Sequence, residues 1–481
     1  MNIAILGAGI SGLSAAYRLV QLAPDATIRV FDRLNRYGGV LETLNQDGFQ
    51  IELSADNFIT TIPSGVQLCK ELGLGEQLIQ TNPLVRRTYV VRRGRLYLLP
   101  DGFLMMAPTK LWPMAITPIL SPFGKLRAGL ELFIPACRDD HDESMANFVR
   151  RRLGREVFER LVEPLVSGVY AADMEKLSVL ATLPRFREME RNYGSLIRAM
   201  QKQLAANRTA HLAEQSGARY SMFVTLRKGL SSLCDTLAAK LQPNTLQTGW
   251  EVIKIGKTTE QQWVLETKSS GSPPAFATSH GKSEIFDAVI FAVPVHESSR
   301  LLKDSVPELA GKLAKIKHEG TAIATFAFNS DQIKQQFHGM GFVVPKTEQS
   351  PILAGSFSSL KYEHRAPKGK FLIRIFAGGN RTPELAELPE DQLKPLLLTE
   401  MQKILKISGE PLFTVISHWP QTMPQYHVGH RELVQEIESL TSSDPTLALA
   451  GNAFHGVGIP NCIQSGFQAA EKLLSSKKSN S

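Results

Sequence analysis

A glycine-rich turn near the start of the chain places the strongest constraint on its fold. Gly7-Ala8-Gly9-Ile10-Ser11-Gly12 fits the pattern GxGxxG, after an apolar strand pattern at residues 3–6 and before a helical pattern at residues 13–22. In such a turn the first glycine allows a tight bend, and the second lets the backbone approach a diphosphate. The third lets the helix pack closely on the strand. The sequence therefore predicts a βαβ unit that binds a dinucleotide.

An acidic residue supports this interpretation. Residues 27–31 predict a second strand, and Asp32 ends it twenty residues after Gly12. A carboxylate at this place accepts hydrogen bonds from ribose hydroxyls, while the diphosphate meets the N–H groups at the start of the helix. The spacing favours nucleotide binding over an incidental glycine-rich turn with an unrelated acid.

Two further segments favour FAD over NAD. Arg36-Tyr37-Gly38-Gly39 gives the pattern acid-x3-Arg-x-Gly-Gly, in which the base and the backbone amides reach phosphates. Near the other end of the chain, Ala450-Gly451-Asn452 and the glycine-rich residues 456–461 precede a helix predicted at 465–474. N–H groups at that helix start stabilise negative charge on a reduced flavin. An NAD dehydrogenase does not need such a returning segment.

Between the two glycine-rich ends of the chain, a helix-like region is followed by a region of predicted strands. Residues 84–220 are helix-like and rich in arginine, with helices predicted at 144–165 and 193–207. Strands are predicted at 246–255, 263–267, 288–293, 322–328, 342–344 and 371–376, with a helix at 390–405 and a final strand, turn and helix from 446. Residues 269–283 are rich in Ser, Gly and Pro and predict a hairpin tip or loop.

The predicted fold class is α/β plus α+β, in three parts. A GxGxxG FAD-binding domain is assembled from residues 1–84, 221–295 and 415–481. Residues 85–220 form a mostly helical domain that is a candidate for membrane contact, and residues 296–414 form a strand-rich substrate domain.

Several longer segments resemble one protein family. They are 161–178 (LVEPLVSGVYAADMEKLS), 184–198 (PRFREMERNYGSLIR), 223–233 (FVTLRKGLSSL), 419–430 (WPQTMPQYHVGH) and 450–463 (AGNAFHGVGIPNCI). With the glycine-rich ends they resemble the flavin amine-oxidase-type superfamily, and within it the oxygen-dependent protoporphyrinogen/coproporphyrinogen oxidases of haem synthesis. The resemblance implies a six-electron oxidation of protoporphyrinogen IX by O2, giving H2O2. Oxidation of coproporphyrinogen III is the alternative.

The resemblance also implies the residues of the site. Those that contact FAD would be Gly7, Ala8, Gly9, Ile10, Ser11, Gly12, Asp32, Arg33, Gly38, Gly39, Ser54, Ala55, Asp56, Asn57, Val252, Asn452, Val457, Gly458 and Ile459. Met340, Gly341 and Val343 would line the substrate pocket. No catalytic base and no metal ligands are predicted, because the meso carbons of a porphyrinogen are already activated by the flanking pyrroles.

The chain departs from the family at three places. Asp32 stands where glutamate is usual, and Ser54-Ala55 stand where Gly-Pro is usual. Leu104 occupies a position at which some relatives place an arginine that binds a substrate propionate. Lys110, close by in the sequence, is the predicted substitute for that anchor.

Composition bears on partners and location. A net charge of +8 suits an anionic substrate, an anionic membrane surface or nucleic acid; no nucleic-acid partner is predicted. The apolar residues 96–120, flanked by Arg127 and Arg150-Arg151-Arg152, predict peripheral contact with anionic lipid. For the arginine run itself, a solvated helix face is the preferred interpretation and lipid contact is the alternative. Four dispersed cysteines and an opening strand in place of a signal peptide predict a cytoplasmic protein.

Two rivals remain open. Another member of the superfamily, such as an amine oxidase or a carotenoid desaturase, would share the flavin site. A non-catalytic relative that binds lipidated proteins would share only the fold.

Overall fold

A five-stranded parallel sheet forms the centre of the computed structural model, which describes residues 1–137, 139–203, 222–270 and 281–478. The strand order is Leu246–Thr248, Thr27–Asp32, Asn2–Leu6, Ala288–Phe291 and Leu447–Leu449. All four residues of Ala288–Phe291 are buried, as expected for a parallel strand covered on both faces. Helix Ile10–Leu22 follows the first strand, so the predicted βαβ unit is confirmed.

A three-stranded antiparallel sheet packs against this centre. It consists of Trp250–Lys257, Trp263–Ser269 and Lys282–Phe286. The strand predicted at 246–255 is divided into two, because Gly249 adopts a φ of 75° and turns the chain from one sheet into the other. Of the predicted loop 269–283, residues 271–280 lie outside the described part of the chain.

A seven-stranded sheet forms the second large layer. Its order is Phe413–Pro424, His318–Asn329, Lys370–Gly378, Ile352–Ser356, Gly341–Val343, Thr88–Arg92 and Arg95–Leu98. One face buries its phenylalanines and isoleucines against helix Glu390–Leu405, which has the predicted bounds. The opposite face, called the inner face below, carries Val343, Ala354, Ser356, Arg374 and Phe376.

The helix-like pattern expected from residue 84 fails at its start. Residues 88–98 form a hairpin, with Arg93 and Gly94 both in the left-handed region that a tight two-residue turn requires. The hairpin joins the seven-stranded sheet through parallel pairing of Thr88–Arg92 with Gly341–Val343. This sheet thus draws strands from all three predicted segments, and the predicted division into domains stays a prediction.

The helical region is more broken than expected. Helix Met145–Leu153 ends at Gly154 (φ 91°), where a Cβ would lie 2.5 Å from Arg127 Cγ. The chain continues through Arg155–Val157, a π-helical turn at Phe158–Val162 and helix Glu163–Tyr170. Helix Pro184–Tyr193 ends at Gly194, and residues 196–203 are helical; the remainder of the helix predicted at 193–207 lies outside the described residues.

The run Arg150-Arg151-Arg152 is not a solvated face. Arg152 is fully buried against Glu131, Arg151 pairs with Glu190 at 2.5 Å, and Arg150 pairs with Glu175 at 2.5 Å. Arg152 therefore lies inside the protein, whereas Arg150 and Arg151 remain partly exposed but already have glutamate partners.

The remaining elements are helices, single turns and small sheets. Helices occupy Pro63–Glu71, Leu111–Ile116, Pro122–Gly129, Val179–Thr182, Ser231–Ala239, Val295–Leu302, Pro307–Leu313, Ser358–Lys361, His430–Ser442 and Ile459–Lys478. Single 3-10 turns occupy Gly75–Gln77, Pro83–Val85, Leu130–Phe133, Ser330–Gln332, Lys346–Glu348, Gly379–Arg381 and Pro383–Ala386. Small sheets pair Phe58–Ile59 and Leu78–Gln80 with Phe223–Leu226, Thr43–Gln46 with Phe49–Glu52, and Phe103–Leu104 with Ala107–Pro108.

Candidate active site

The three glycines of the first turn have different local requirements. Gly7 has a φ of 101°, and a Cβ there would lie 2.6 Å from the carbonyl oxygen of Ala292. A Cβ on Gly12 would overlap the carbonyl oxygen of Gly7. Gly9 has an ordinary extended conformation, and the nearest atom to its Cβ position is Gly39 Cα at 3.9 Å. Packing thus explains Gly7 and Gly12, whereas the space beside Gly9 fits an incoming diphosphate.

Asp32 holds this turn. Its carboxylate accepts the backbone N–H of Ala8 at 2.8 Å and that of Leu34 at 2.9 Å. A carboxylate has about four acceptor positions, so two remain for ribose hydroxyls. The ribose contact stays a prediction, as does that of the exposed Arg33.

The second glycine pair packs against the first turn. The N–H of Gly38 donates to the carbonyl of Ala8 at 2.8 Å, and a Cβ on Gly39 would lie 3.0 Å from Gly9 Cα. Arg36, which was expected to reach phosphates, pairs with Glu42 at 2.7 Å. The two turns together form one wall of the proposed nucleotide site.

The loop at residues 54–57 runs from that wall toward the last helix. Ser54 Oγ donates to the carbonyl of Val40 at 2.5 Å, and Ser64, a few residues later, donates to the carbonyl of Pro460 at 2.7 Å. Ala55 packs against the apolar cluster that contains Ile10 and Ile459. The structure therefore brings three widely separated predicted contacts to one place.

The returning segment is held by a tyrosine that the sequence prediction missed. Tyr426 Oη donates to the carbonyl of Asn452 at 2.5 Å and accepts the N–H of Gly456 at 2.8 Å. Burial raises the pKa of this phenol, so it remains protonated. Tyr426 lies within the 419–430 segment of the family resemblance, which was the available signal. Helix Ile459–Lys478 then begins at the end of the glycine-rich turn, six residues earlier than predicted.

Val252, the predicted adenine contact, lies beside another strand of the parallel sheet. It is buried in the apolar cluster that contains Leu6 and Phe31, next to the strand that ends in Asp32. The ladder shifts register between Val252 and Lys254, which frees local backbone groups from regular pairing. Contact between this backbone and an adenine stays a prediction.

The inner face of the seven-stranded sheet supplies the proposed substrate wall. Gly168 of helix Glu163–Tyr170 approaches it, since a Cβ there would lie 3.8 Å from Ala354 Cβ and 4.0 Å from Val343 Cγ1. Val343 belongs to the same apolar cluster as Val457 of the flavin-side turn. Gly341 is on this face, and Met340 precedes it, half-buried. One predicted substrate residue and one predicted flavin residue therefore belong to the same apolar cluster.

Lys110 lies apart from these residues. Its ammonium pairs with Asp101 at 2.5 Å, and 55% of its side chain is exposed. Its role as a propionate anchor stays a prediction.

A buried ionic cluster, missed by the sequence prediction, lies beneath the loop at residues 54–57. Lys361 Nζ is 3.0 Å from Asp56, and Arg374 contacts both Asp56, at 3.5 Å, and the carbonyl of Ser54. Burial by itself raises the pKa of Asp56, but Lys361 and Arg374 outweigh it and hold that pKa below the ordinary value. Burial lowers the pKa of Lys361 and of Arg374. The charges come from chain segments about 300 residues apart.

Among the described residues, no group of three or more His, Cys, Asp or Glu could hold a metal ion.

Comparison with known proteins agrees with this geometry. The family model for flavin-containing amine oxidoreductases matches residues 10–474. The coproporphyrinogen III oxidase of Staphylococcus aureus is 33% identical, covering 98% of this chain and 99% of its own. The chloroplastic protoporphyrinogen oxidase of Nicotiana tabacum is 28% identical, covering 98% and 85%. A crystal structure from Exiguobacterium sp. 255-15 superposes with a TM-score of 0.84, at 29% identity and 99% coverage of both chains.

The family resemblance seen in the sequence is thereby confirmed, and with it a flavin cofactor. The free space beside Gly9 and the convergence of the two glycine-rich ends fit such a group. The chain belongs to the flavin-containing amine oxidoreductase family, and its relatives include the coproporphyrinogen III and protoporphyrinogen oxidases of haem biosynthesis.

Proposed function

We propose that this protein catalyses the FAD-dependent oxidation of a porphyrinogen to the porphyrin in haem biosynthesis, with O2 as acceptor. Six hydrogens leave the macrocycle in three two-electron steps, and three O2 become three H2O2. Protoporphyrinogen IX and coproporphyrinogen III are the candidate substrates. The observation that carries the proposal is the shared apolar cluster of Val343, on the substrate wall, and Val457, on the flavin side.

FAD is the proposed flavin because the site extends beyond a flavin ring. In this proposal the space beside Gly9 takes the diphosphate, the free acceptor positions of Asp32 take the ribose hydroxyls, and the backbone at Val252 meets the adenine. Bound FAD supplies a two-electron acceptor that O2 regenerates. The residues of the chain bind and orient it.

For this reaction the protein must mainly hold the porphyrinogen macrocycle flat against the flavin and exclude water from the space between them. A wall made of Val343, Ala354 and Phe376 suits that task, because apolar side chains exclude water and fix the distance to the flavin. We assign no side chain as a general base.

Anaerobic reduction of the purified holoenzyme tests the proposal. Each porphyrinogen should bleach the flavin absorbance in a single turnover, and admission of O2 should restore it with release of H2O2. An amine or a carotene that bleaches the flavin while neither porphyrinogen does would assign the chain to another branch of the superfamily.

An exposed apolar surface supports peripheral membrane contact as a second proposal. It comprises Leu104, Leu111, Trp112, Ile116, Phe123, Leu126, Leu130 and Phe133, and is called the apolar surface below. Trp112 is 73% exposed and Phe123 is 84% exposed, which is costly in water unless the side chains meet another apolar phase. None of the described helices is long and apolar enough to cross a membrane.

The proposed location is the cytoplasmic side of such a membrane. All four cysteines are free thiols, and Cys69, Cys234 and Cys462 are buried. Burial raises the pKa of Cys69 to about 12, so this thiol stays protonated and inert. Localisation of a tagged chain by fractionation, with and without a salt wash, tests this.

A further inference from the structure

The buried ionic cluster has more positive than negative charge. Lys361, Arg374 and Arg365 provide the cations, and Asp56 and Glu52 provide the carboxylates. Arg365 pairs with Glu52 at 3.3 Å, and both side chains are almost fully buried. Burial outweighs Arg365 and raises the pKa of Glu52. A buried positive charge without an equal counter-charge is costly, so the cluster favours a further anion.

Buried polar atoms in the same place have no partner within the protein. Arg374 Nε, Arg365 Nη1 and Ser356 Oγ are all enclosed and form no hydrogen bond with another protein group. Arg374 is 1% exposed. Leaving such donors unmet costs free energy in an ordinary core, so their retention points to a ligand with acceptor oxygens.

The strand register places Ser356 and Arg374 on the substrate wall. Gly341 pairs with Ser356, and Ser356 pairs with Arg374 on the next strand. Directly paired residues project from the same face of a sheet, so Ser356 and Arg374 share the inner face with the predicted substrate residue Gly341. On its other side, Arg374 donates to the carbonyl of Ser54 in the flavin-side loop. The cluster therefore lies between the substrate wall and the flavin loop.

We propose that Arg374, Lys361 and Ser356 form a subsite for a carboxylate group of the porphyrinogen. A guanidinium, an ammonium and a hydroxyl offer the donors that a propionate needs. Asp56 pairs with both Lys361 and Arg374 and so fixes the positions of these two cations. This inference rests on the proposed function and narrows its substrate. Coproporphyrinogen III carries four propionates, and protoporphyrinogen IX carries two with two vinyls. Every pyrrole of coproporphyrinogen III carries a propionate, so it can fill a carboxylate subsite in any orientation, whereas protoporphyrinogen IX can fill it only with its propionate edge; the subsite therefore favours the tetracarboxylate.

The test uses the oxidised FAD holoenzyme and a redox-inactive ligand. Binding of coproporphyrin III, its tetramethyl ester and protoporphyrin IX is measured by porphyrin fluorescence. Ser356→Ala should weaken binding of the tetra-acid about ten-fold and leave the ester unchanged, because it removes one donor to the carboxylate. Its Tm should not fall, since the deleted hydroxyl has no partner in the protein.

Arg374→Gln should weaken binding of the tetra-acid further, and Arg374→Lys should restore part of it. Lys370→Gln is the matched control, since Lys370 begins the same strand but donates to Asn329 at 2.5 Å, away from the Ser356 row. The control should leave binding of both porphyrins unchanged.

Several results would overturn the inference. Equal losses for the acid and the ester would show that Ser356 and Arg374 only shape the pocket. A shifted flavin reduction potential with unchanged porphyrin binding would assign the cluster to the flavin. If the wild-type holoenzyme binds no porphyrin and is reduced by no porphyrinogen, the proposed function itself fails, and the subsite with it.

Discussion

The phenol of Tyr426 joins two parts of the flavin-side turn, because it donates to the carbonyl of Asn452 and accepts the N–H of Gly456. Its ring stacks on His430 with centroids 4.0 Å apart. A single side chain from the end of the seven-stranded sheet therefore sets the distance between the Asn452 segment and the glycines that precede the last helix. This relationship makes the turn a preformed surface, and it is open to a direct test.

Tyr426→Phe should weaken flavin binding. The variant keeps the ring but leaves the Asn452 carbonyl and the Gly456 N–H without their partner, at a cost of about 1–3 kcal/mol. We expect a lower Tm and about ten-fold weaker FAD binding by fluorescence titration of apoprotein. Tyr89→Phe is the matched control, since Tyr89 Oη accepts the N–H of His338 at 2.9 Å, in the hairpin strand. If both variants lose flavin equally, Tyr426 acts only on global stability.

Substitutions at two glycines of the first turn should separate binding from folding. Gly9→Val fills the space beside the turn while its backbone conformation suits any residue. We expect a folded protein that is purified largely without FAD. Gly12→Val should instead destabilise the fold by several kcal/mol, since its Cβ would overlap the Gly7 carbonyl. Thermal unfolding measures the stability of each variant, and the ratio of flavin to protein absorbance measures its FAD content. A full flavin content in Gly9→Val would contradict the placement of the diphosphate beside Gly9.

The apolar surface should control binding to vesicles. Phe123→Ser with Leu126→Ser should weaken flotation with liposomes at least about ten-fold, because two large apolar side chains are lost, with little change in Tm. Leu84→Ser is the control, since Leu84 is 85% exposed but is not part of that surface. Salt should have only a small effect on vesicle binding, because Arg150, Arg151 and Arg152 are paired with glutamates within the protein. Strong loss of binding in high salt would contradict this.

His430 should give stability a defined pH dependence. Burial lowers its pKa to about 4, helped by nearby His455 and His427 and opposed by the Phe454 carbonyl and Asp142. Between pH 6.5 and about 4, the His430 imidazole is protonated in the unfolded chain but stays neutral in the folded protein. Stability should therefore fall by about 1–3 kcal/mol as the pH drops through this window.

The control for this effect is His430→Gln, which cannot titrate. Its urea-unfolding free energy should change less with pH over the same range than that of the wild type. His318 has a pKa lowered to about 4 by burial and by the charge of His296, so it contributes a similar slope that the variant retains. An unchanged slope in His430→Gln would contradict the assignment.

The amino-acid sequence determined the nucleotide half of the site well. The turn from Gly7 to Gly12, the strands beside it and Asp32 form one contiguous unit, in which the spacing of the glycines and the acid can be read along the chain, although the atom that excludes a Cβ at Gly7 belongs to distant Ala292. Local motifs of this kind are visible because their geometry depends on few distant residues. The segment predictions failed where one glycine redirected the chain, as at Gly154 and Gly249.

Only the tertiary structure decided what lies beside that site. Lys361 lies 305 positions after Asp56 in the sequence, and Arg374 lies further still. The contact of Arg374 with Asp56 depends on the register of Ser356 against Arg374. A shift of one residue would turn Arg374 to the opposite face, and nothing local in a strand records that choice. The arginines at 150–152 show the same effect in reverse. As a sequence they resemble a solvated face, but in the fold all three pair with glutamates, and Arg152 is fully buried. Charge is a property of the sequence, but its burial, and so its chemistry, is a property of the packing.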